Sequence, residues 1–277
     1  MNVFGLSSFQ YLYGKTRNMS QFILSEKMGG VLKITMNRPE KYNSFVREMA
    51  LALQEELRLA AKDEEVRCIY LTGNGKAFCA GQDLAEATDP NGPELTKIVT
   101  EHYNPIILQM RALEKPIVCA VNGVAAGAGA NIALAGDVVV ATESSSFIQA
   151  FSKIGLIPDS GGTYTLPRLI GMQKASALMM LGDKVSATEA MIMGMIYKVV
   201  ADSDFEEASM KIAKTLSEMP TLALARTKAL LNASFENSLE KQLELEDEYQ
   251  TECGQSYDYA EGTKAFLEKR KPVFKGK

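Results

Sequence analysis

The sequence has very little histidine, with one residue in 277, His102, and it has no tryptophan. A single imidazole excludes zinc sites that need two histidines, and it excludes the HExxH helix of metalloproteases. His102 lies in Glu101-His102-Tyr103, with no recognisable nucleophile motif beside it. We therefore interpret His102 as a solvated or hydrogen-bonded helical histidine, and we expect no metal site.

Cysteine is also scarce, with four residues and no CxxC spacing. Cys68, Cys79 and Cys119 lie in apolar runs, whereas Cys253 does not. Unpaired thiols in apolar surroundings are typical of proteins from a reducing compartment. We therefore expect reduced core thiols and a cytoplasmic protein.

The chain carries little net charge, because 30 basic residues face 34 acidic ones, a formal charge of −4. No basic patch emerges, which argues against nucleic acid as a partner. Hydrophobic residues make up 46% of the chain and charged residues 23%, which is typical of a globular protein with a substantial core. The length predicts one large domain, or one domain with an appendage.

The longest uncharged stretch, residues 116–136, is too polar for a membrane span. It contains Asn122, Asn131 and four glycines, and much of the rest is alanine. A bilayer span would be richer in Leu, Ile and Phe. We interpret the stretch as a buried strand, a glycine turn and a buried helix, and we expect no association with a membrane.

The first 18 residues differ from the rest of the chain. They contain Lys15 and Arg17 but no acidic residue, and a second methionine follows at Met19. Their apolar residues are too interrupted for a secretory signal. We interpret residues 1–18 as an extension, either disordered or upstream of the true start codon, with a transit peptide as the less favoured alternative.

Hydrophobic periodicity predicts an α/β fold. Short apolar runs predict buried strands, which alternate with amphipathic helices over the first half of the chain. After about residue 145 the pattern is helical and rich in methionine, which is compatible with packing on partner subunits and with an irregular core. The predicted strands are 30–36, 68–72, 117–121 and 138–141, and the predicted helices are 47–61, 103–113, 174–181, 187–193, 204–219, 221–232 and 238–253.

Two glycine-rich loops are candidates for chemistry. Residues 123–129 have the GxxxGxG spacing of the nucleotide turn of short-chain dehydrogenases. That function is disfavoured, because Asp137 is too near to bind a ribose and the only Tyr-xxx-Lys, residues 11–15, precedes the turn. Alternatively, backbone N–H groups of this turn and of a second loop, 77–84, would together bind a negatively charged oxygen. Each loop alone is more typical of an ordinary tight turn.

Four motifs follow one another along the chain: Asn37-Arg-Pro-Glu-Lys-Tyr-Asn-Ser44, Phe78-Cys-Ala-Gly-Gln-Asp-Leu84, Pro116-Ile-Val-Cys-Ala-Val-Asn-Gly123 and Gly155-Leu-Ile-Pro-Asp-Ser-Gly-Gly-Thr163. Together they resemble the crotonase (enoyl-CoA hydratase/isomerase) superfamily over about residues 22–276. The resemblance implies an α/β spiral of repeated ββα units over residues 19–205. It also implies a C-terminal helical region at 206–277 that mediates trimers.

The resemblance has further implications for the substrate and the assembly. It implies an acyl-CoA thioester as substrate, with CoA as part of the substrate and no cofactor. It implies a homotrimer or a dimer of trimers. The family's oxyanion hole is formed by two backbone N–H groups, and the matching residues here are Gln82 and Ala128.

The sequence departs from the family's hydratases at two positions. Those enzymes use two glutamates to handle water, and the matching residues here are Asn131 and Phe151. Neither side chain can transfer a proton near neutral pH, so a standard hydratase is disfavoured. What remains is Asp159, where the family's isomerases place a single acid, and one carboxylate suffices for a 1,3-proton shift. We expect burial to raise the pKa of Asp159; its alternative role is a turn or helix cap.

The resemblance also implies contacts with CoA. Asp83 is expected to order the loop after Gln82, whereas Glu86 is expected to be solvated rather than in the cleft. Phe266 and Lys269 would contribute from this chain or from a neighbouring subunit, although a solvated basic tail explains Lys269 equally well. The predicted CoA-binding residues are Lys41, Ala80, Gln82, Asp83, Leu84, Phe266 and Lys269.

Within the superfamily, the sequence most resembles the isomerases that rearrange ring-1,2-epoxyphenylacetyl-CoA to oxepin-CoA. The resemblance runs through residues 78–84, 122–129, 150–159 and 265–270. The same residues are compatible with a Δ3,Δ2-enoyl-CoA isomerase of fatty-acid oxidation. A non-catalytic acyl-CoA-binding protein is the third alternative, against which Asp159 argues, because a binding protein needs no acid there.

Overall fold

A computed structural model describes residues 16–277, with side chains from Ser20 onward. The predicted extension at residues 1–18 therefore lies outside the described residues, except at its end, where the first strand begins at Thr16. The strands are β1 (Thr16–Ser20), β2 (Ile23–Met28), β3 (Val31–Met36), β4 (Cys68–Gly73), β5 (Ala77–Cys79), β6 (Ile117–Val121), β7 (Val124–Ala126), β8 (Val138–Thr142), β9 (Ser146–Ile148), β10 (Lys184–Ser186) and β11 (Lys198–Val200).

The helices lie between these strands in the first part of the chain and follow one another at its end. Shorter 3-10 helices cover Pro39–Lys41, Ala150–Ile154 and Asp202–Asp204, and a π-helical turn covers Ile98–Tyr103. The α-helices are α1 (Arg47–Lys62), α2 (Leu84–Ala87), α3 (Leu95–Lys97), α4 (Asn104–Ala112), α5 (Ala128–Leu134), α6 (Gly162–Ile170), α7 (Met172–Leu181), α8 (Ala187–Ile192), α9 (Phe205–Glu218), α10 (Thr221–Ala233), α11 (Leu239–Gly254) and α12 (Tyr257–Leu267).

The strands form two sheets. The larger sheet has the order β1-β2-β3-β4-β6-β8-β11, antiparallel from β1 to β3 and parallel from β3 to β11. The smaller sheet has the order β10-β9-β7-β5, in which β5, β7 and β9 run parallel and β10 is antiparallel.

Successive strand pairs alternate between the two sheets. In β4–β5, β6–β7 and β8–β9 the first strand joins the larger sheet and the second joins the smaller one, before the chain enters helices. Each crossover advances both sheets by one strand, so the chain winds as a spiral. The predicted spiral of ββα units is confirmed.

Both faces of β4, in the middle of the larger sheet, are buried, which explains its apolar sequence. In β4, Ile69 and Leu71 belong to the main core, to which α1 also contributes. Cys68 and Tyr70, which alternate with them, belong to a second cluster that includes Phe205 of α9. A strand buried on both faces lacks the polar alternation of a surface strand, and this pattern predicts β4 from the sequence.

The predicted C-terminal helices α7 to α11 are confirmed to within two residues at each end. Helix α6 was not predicted from the sequence. It begins at Gly162 and contains Pro167, and glycine and proline are typical of loops. Helix α9 packs on the larger sheet, where the Tyr70 hydroxyl is hydrogen-bonded to Ser209 Oγ at 2.8 Å. The spiral and the helical region thus share a core, and the boundary at residue 205 stays a prediction.

Two further properties concern the described part of the chain as a whole. No helix within residues 16–277 is long and apolar enough to cross a bilayer. Over the same residues, no cluster of three or more His, Cys, Asp or Glu side chains is placed to hold a metal ion. Cys68, Cys79 and Cys119 are buried free thiols, as predicted.

Candidate active site

The carboxyl ends of β5, β7 and β9 meet at one edge of the smaller sheet. Because these strands run parallel, the loops that follow them emerge on the same side. Strand β5 leads into Ala80-Gly81-Gln82, β7 into Gly127-Ala128, and β9 into Gln149-Ala150-Phe151. Loops that are far apart in the sequence are thereby brought together, and this edge is the candidate active site.

The loop after β5 is fixed by main-chain hydrogen bonds to the segment before α1. The Phe45 N–H donates to Gly81 O at 2.7 Å, and the Asp83 N–H donates to Phe45 O at 2.8 Å. The peptide groups on both sides of Gln82 are therefore immobilised. Consequently, the Gln82 N–H has a defined direction.

The second backbone donor belongs to Ala128, the first residue of α5, where helix geometry supplies no acceptor for the N–H. The two loops approach closely, since a Cβ on Gly81 would lie 3.6 Å from Ala128 N and 3.0 Å from Ala126 O. Gly81 and Gly127 have positive φ angles of 91° and 53°, which glycine adopts without strain. Within residues 16–277, neither the Gln82 nor the Ala128 N–H donates to a protein acceptor. Both are free to bind a ligand oxygen.

The Gln82 side chain is held at both ends. The Tyr103 hydroxyl donates to Gln82 Oε1 at 2.8 Å, and Gln82 Nε2 donates to Glu86 Oε2 at 2.9 Å. Tyr103 is fully buried and packs edge-on against Phe45, so its hydroxyl is fixed. Glu86 is half-buried and also accepts a hydrogen bond from the Arg47 N–H at 3.0 Å. It was expected to be solvated, and instead it holds the Gln82 side chain. Sequence reasoning missed Tyr103, because an aromatic residue near a helix start is typical of any core.

Asp83 has partners that order its loop, as expected. Its carboxylate caps α2 by accepting the Ala85 N–H at 2.8 Å, and it pairs with Arg38 at 2.6 Å. Burial alone would raise the pKa of Asp83, but Arg38 and the Ala85 N–H hold it below its usual value. Asn43, which is fully buried, donates to Ala77 O at 2.8 Å. The motif at residues 37–44 therefore supports the loop after β5.

Asp159 lies in the loop between the 3-10 helix Ala150–Ile154 and α6. Its Oδ1 accepts a hydrogen bond from Ser160 Oγ at 2.8 Å. Burial raises the pKa of Asp159 above its ordinary 3.8, and the Ser160 hydroxyl offsets only part of this rise. Burial, reinforced by nearby acidic groups that include Asp159, also raises the pKa of Tyr103 well above 10. A half-buried carboxyl with a raised pKa is suited to transferring a proton.

Residues 26–277 match the family model described as enoyl-CoA hydratase/isomerase. The chain belongs to this family. It is 48% identical over 262 residues to the 1,2-epoxyphenylacetyl-CoA isomerase of Escherichia coli K12, covering 94% of this chain and 100% of that protein. It is 34% identical to the trans-2-decenoyl-[acyl-carrier-protein] isomerase of Streptococcus mutans, covering 92% and 98%. A crystal structure of enoyl-CoA hydratase from Bacillus anthracis superposes with a TM-score of 0.86 at 32% identity, covering 93% of this chain and 100% of that chain.

The resemblance inferred from the four sequence motifs is thereby confirmed, and the chain is an enzyme of the enoyl-CoA hydratase/isomerase family. Acyl-CoA thioesters are the substrates of this family. The two backbone N–H groups predicted to bind the thioester oxygen, those of Gln82 and Ala128, lie in the loops at the carboxyl edge of the smaller sheet.

The two side chains predicted to match the hydratase glutamates, those of Asn131 and Phe151, are both buried. Asn131 is 2% exposed; its Oδ1 accepts from Gln149 Nε2 at 2.7 Å, and its Nδ2 donates to Asp159 O at 2.8 Å. Phe151 is buried, and a Cβ on Gly127 would lie 3.8 Å from its ring. Neither the amide of Asn131 nor the phenyl ring of Phe151 can exchange a proton near neutral pH.

The predicted CoA contacts from the loops lie next to one another. Lys41 ends the 3-10 helix Pro39–Lys41 and is exposed. The Ala80 N–H donates to Tyr42 O at 3.0 Å, which joins the Lys41 loop to the loop after β5. Leu84, at the start of α2, is 53% exposed. These residues form one accessible rim around the backbone donors.

Phe266 and Lys269 lie elsewhere on the chain. Phe266, which ends α12 together with Leu267, is 83% exposed and lines a groove of about 760 Å³. The groove is formed by α10, α11, α12 and Phe274, and none of the loop residues of the candidate site lines it. Phe266 and the loops thus do not line a common groove, and contacts of Phe266 and Lys269 with CoA stay predictions.

His102 is 1% exposed, so it is not solvated. Its Nε2 lies 3.2 Å from an Arg47 guanidinium nitrogen, whereas within the described residues its Nδ1 has no partner. Burial lowers its pKa below 6.5. His102 belongs to the π-helical turn Ile98–Tyr103, in which two carbonyl groups accept from Gln54 Nε2 at 2.7 and 3.0 Å. This turn also carries the tyrosine that binds Gln82, consistent with the frequent location of π-turns at functional sites.

Proposed function

We propose that this enzyme is an acyl-CoA isomerase in which Asp159 moves a proton between two carbon atoms of the substrate. The backbone N–H groups of Gln82 and Ala128 hold the thioester oxygen while it carries negative charge. The observation that carries the proposal is a half-buried acid, Asp159, joined through Asn131 to the helix that begins with one of the free N–H donors.

For a 3-enoyl thioester, a single carboxyl group can carry out both proton transfers that move the double bond. The Asp159 carboxylate removes a proton from C2, and the electrons form a dienolate whose oxygen accepts hydrogen bonds from Gln82 and Ala128. The same carboxyl group then returns the proton to C4, which moves the double bond from C3–C4 to C2–C3. No atom is gained or lost, so the reaction needs no cofactor beyond the CoA of the substrate.

We favour the ring epoxide of phenylacetyl-CoA as the substrate, because the chain is 48% identical to a 1,2-epoxyphenylacetyl-CoA isomerase. The ring C–C bond of the epoxide breaks as its oxygen becomes part of a seven-membered ring. Asp159 then moves a proton from the carbon beside the thioester to a ring carbon, which conjugates the product. This uses the same acid and the same enolate as the linear substrate, so a Δ3,Δ2-enoyl-CoA isomerase is the alternative.

Hydration of a 2-enoyl thioester is disfavoured in this site. Adding water needs a group that removes its proton as the oxygen attacks. Asn131 has both ends of its amide engaged, and Phe151 has no proton to exchange. The proposed enzyme therefore isomerises acyl-CoA thioesters much faster than it hydrates them.

The proposal includes how CoA is held and how the enzyme assembles. Lys41 and the backbone of residues 80–84 line the CoA path, and a basic side chain there suits the phosphates. Phe266 and Lys269 complete the site from a neighbouring subunit, in a homotrimer or a dimer of trimers. The enzyme works in the cytoplasm on a small-molecule substrate, without nucleic acid or membrane as a partner.

The decisive experiment compares the wild-type enzyme with Asp159→Asn. We expect conversion of 3-enoyl-CoA to the conjugated 2-enoyl isomer, and a drop in kcat of at least ~100-fold in the variant, the usual effect of losing an acid–base group. The absorbance of the conjugated thioester measures the rate, and the ring epoxide is assayed in parallel. The matched control is Asp183→Asn, at an exposed position, which should retain the wild-type rate.

Each other outcome has a defined meaning. A faster rate with the ring epoxide supports the favoured substrate, whereas a faster rate with the linear substrate supports the enoyl-CoA isomerase. Binding of CoA thioesters by wild type and variant, with no turnover of either substrate, would show that the chain is a non-catalytic acyl-CoA-binding protein. Faster hydration of 2-enoyl-CoA than isomerisation would overturn the proposal in favour of a hydratase.

A further inference from the structure

We propose that Asn131 is a positioning residue for the isomerase reaction, which holds the loop that carries Asp159 and so sets the direction of its carboxylate. The inference rests on the proposed function of Asp159. Asn131 does not touch the reacting carbon atoms and transfers no proton. It acts through the main chain of the acid, at a position where hydratases of the family have a catalytic side chain.

The main-chain carbonyl of Asp159 is fixed from two directions. It accepts the Gly162 N–H at 2.9 Å, which closes the loop internally. It also accepts Asn131 Nδ2 at 2.8 Å, which ties the loop to α5. Helix α5 begins with Ala128, three residues before Asn131, so one rigid turn with a rise of about 4.5 Å separates the oxyanion donor from the anchor of the acid.

Gln149 fixes which end of the Asn131 amide faces Asp159. Gln149 is 5% exposed, and its Nε2 donates to Asn131 Oδ1 at 2.7 Å. An amide whose oxygen is occupied in this way must present its NH₂ group on the other side. The donor to the Asp159 carbonyl is therefore selected by the hydrogen-bond network.

The loop needs such an anchor because its backbone is strained. Ser160 has a φ angle of +52°, which is unfavourable for a residue with a Cβ, and Gly161 has a φ angle of +70°. Left-handed backbone at a non-glycine residue persists only where surrounding contacts impose it. A Cβ at Gly162 would lie 2.3 Å from Asn131 Nδ2, so the Asn131 amide lies directly against the loop.

The chemical consequence follows from the geometry that proton transfer requires. The acid must lie within hydrogen-bond reach of the proton that it removes, and a displacement of about 1 Å costs on the order of 100-fold in rate. Without Asn131, the Asp159 carbonyl keeps only the internal hydrogen bond from Gly162 among the described residues. The strained loop then loses its tie to α5, and the direction of the Asp159 carboxylate is less well fixed. Binding of the thioester depends on other residues and is unaffected.

The test uses Asn131→Asp, Asn131→Ala and the surface control Asn91→Asp. In Asn131→Ala we expect kcat to fall at least ~10-fold at every pH, with unchanged affinity for a saturated acyl-CoA. In Asn131→Asp the new carboxyl group donates to the Asp159 carbonyl only when it is protonated. We therefore expect kcat of that variant to be closest to wild type at acidic pH and to fall as the pH rises.

Other titratable groups do not mimic this profile. Burial raises the pKa of Cys79 to about 12 and the pKa of Tyr103 well above 10, so neither changes its charge between pH 5 and pH 9. Glu86 is present in wild type, variants and control, so it cannot add a limb to one variant alone. Asp159 gives an acidic limb in every protein, and an added alkaline limb in Asn131→Asp alone supports the proposal.

A second measurement is independent of turnover. Hydrogen–deuterium exchange of a peptide spanning residues 157–163 should be faster in Asn131→Ala than in wild type, because Gly162 N–H and Asn131 Nδ2 share the Asp159 carbonyl. Unchanged exchange in this peptide, or an Asn131→Asp profile parallel to wild type, would overturn the positioning role. If the wild-type enzyme has no isomerase activity, the proposed function is contradicted. The exchange result would still decide whether Asn131 holds the loop.

Discussion

The burial that suits the Asp159 carboxyl group to its proposed role also destabilises the fold. Burial disfavours the ionised form, so the pKa of Asp159 in the folded protein lies above the 3.8 of an exposed aspartate. Between these two pKa values the folded chain binds more protons than the unfolded chain. Stability therefore falls as the pH rises through this window, and the full cost is present above the folded-state pKa.

We predict that Asp159→Asn increases the free energy of unfolding at neutral pH, and that the gain shrinks as the pH falls toward 3.8. The asparagine has no charge to bury, so it avoids the cost that the wild-type carboxylate imposes. Denaturant unfolding over a series of pH values measures the difference. Asp183→Asn should show no such trend, and a variant less stable than wild type at neutral pH would contradict the assigned direction of the shift.

At this scale, some site residues are predictable and others are not. Gln82, Ala128 and Asp159 lie in contiguous motifs, so their types and spacing identify them as candidates in the sequence. Tyr103 and Gln149 act through single contacts with residues that are distant in sequence. Their chemistry, a phenol or an amide, is common in any core, so only the folded structure reveals their partners.

At the scale of elements, the approach of α5 to β5 sets the distance between the two backbone donors. Gly129, the second residue of α5, lies directly against Cys79, the last residue of β5. A Cβ at Gly129 would lie 2.3 Å from Cys79 O and 2.7 Å from Cys79 Sγ. Because the obstacle includes main-chain atoms, it cannot move aside as a flexible side chain could.

We predict that Gly129→Ala lowers the free energy of unfolding by ~1–3 kcal/mol, the usual cost of overpacking, and lowers kcat at least ~10-fold. The reason is that α5 must move away from β5, which separates the Ala128 N–H from the Gln82 N–H. Denaturant unfolding and the isomerase assay measure both effects. Gly254→Ala is the control, since no atom lies within 4 Å of its added Cβ; equal behaviour of the two variants would contradict the argument.

The same elements explain which parts of the secondary structure can be predicted. In the larger sheet, β3, β4, β6 and β8 are five or six residues long, and all but β3, which carries Lys33 and Thr35, are almost entirely apolar, so each gives a clear signal. Strands β5, β7 and β9 have three residues each. Three residues are too few to establish a period, although these strands position the active site.

At the scale of the whole molecule, a buried ionic contact joins the C-terminal helices to the spiral. Lys228 of α10 is buried, and its Nζ lies 2.8 Å from Asp137 Oδ2. Asp137 also pairs with Arg111 at 3.1 Å and accepts the Ile117 N–H at 2.9 Å, where β6 begins. Burial lowers the pKa of Lys228, and Asp137 offsets part of that effect.

We predict that Lys228→Met lowers the free energy of unfolding by ~2–3 kcal/mol, because the partly accessible Asp137 carboxylate loses its nearest cation and the hydrogen bonds of Lys228 Nζ are lost. Unfolding in denaturant, followed by circular dichroism, measures the change. Lys241→Met is the control, since among the described residues the Lys241 side chain of α11 makes one ion pair, an exposed one with Glu244, a type of contact that is worth less than ~1 kcal/mol. Equal losses of unfolding free energy in the two variants would show that the Lys228–Asp137 contact stabilises the fold no more than an exposed ion pair does.

The single histidine has a practical consequence. Because the chain contains one imidazole, the ring protons of His102 give an isolated pair of magnetic resonance signals without isotope labelling. The ring is almost completely shielded from solvent, beside Arg47 and one residue before the tyrosine that binds Gln82. The molecule thus contains a native spectroscopic reporter close to the proposed oxyanion donor, and a shift of its signals would report the arrival of a thioester there.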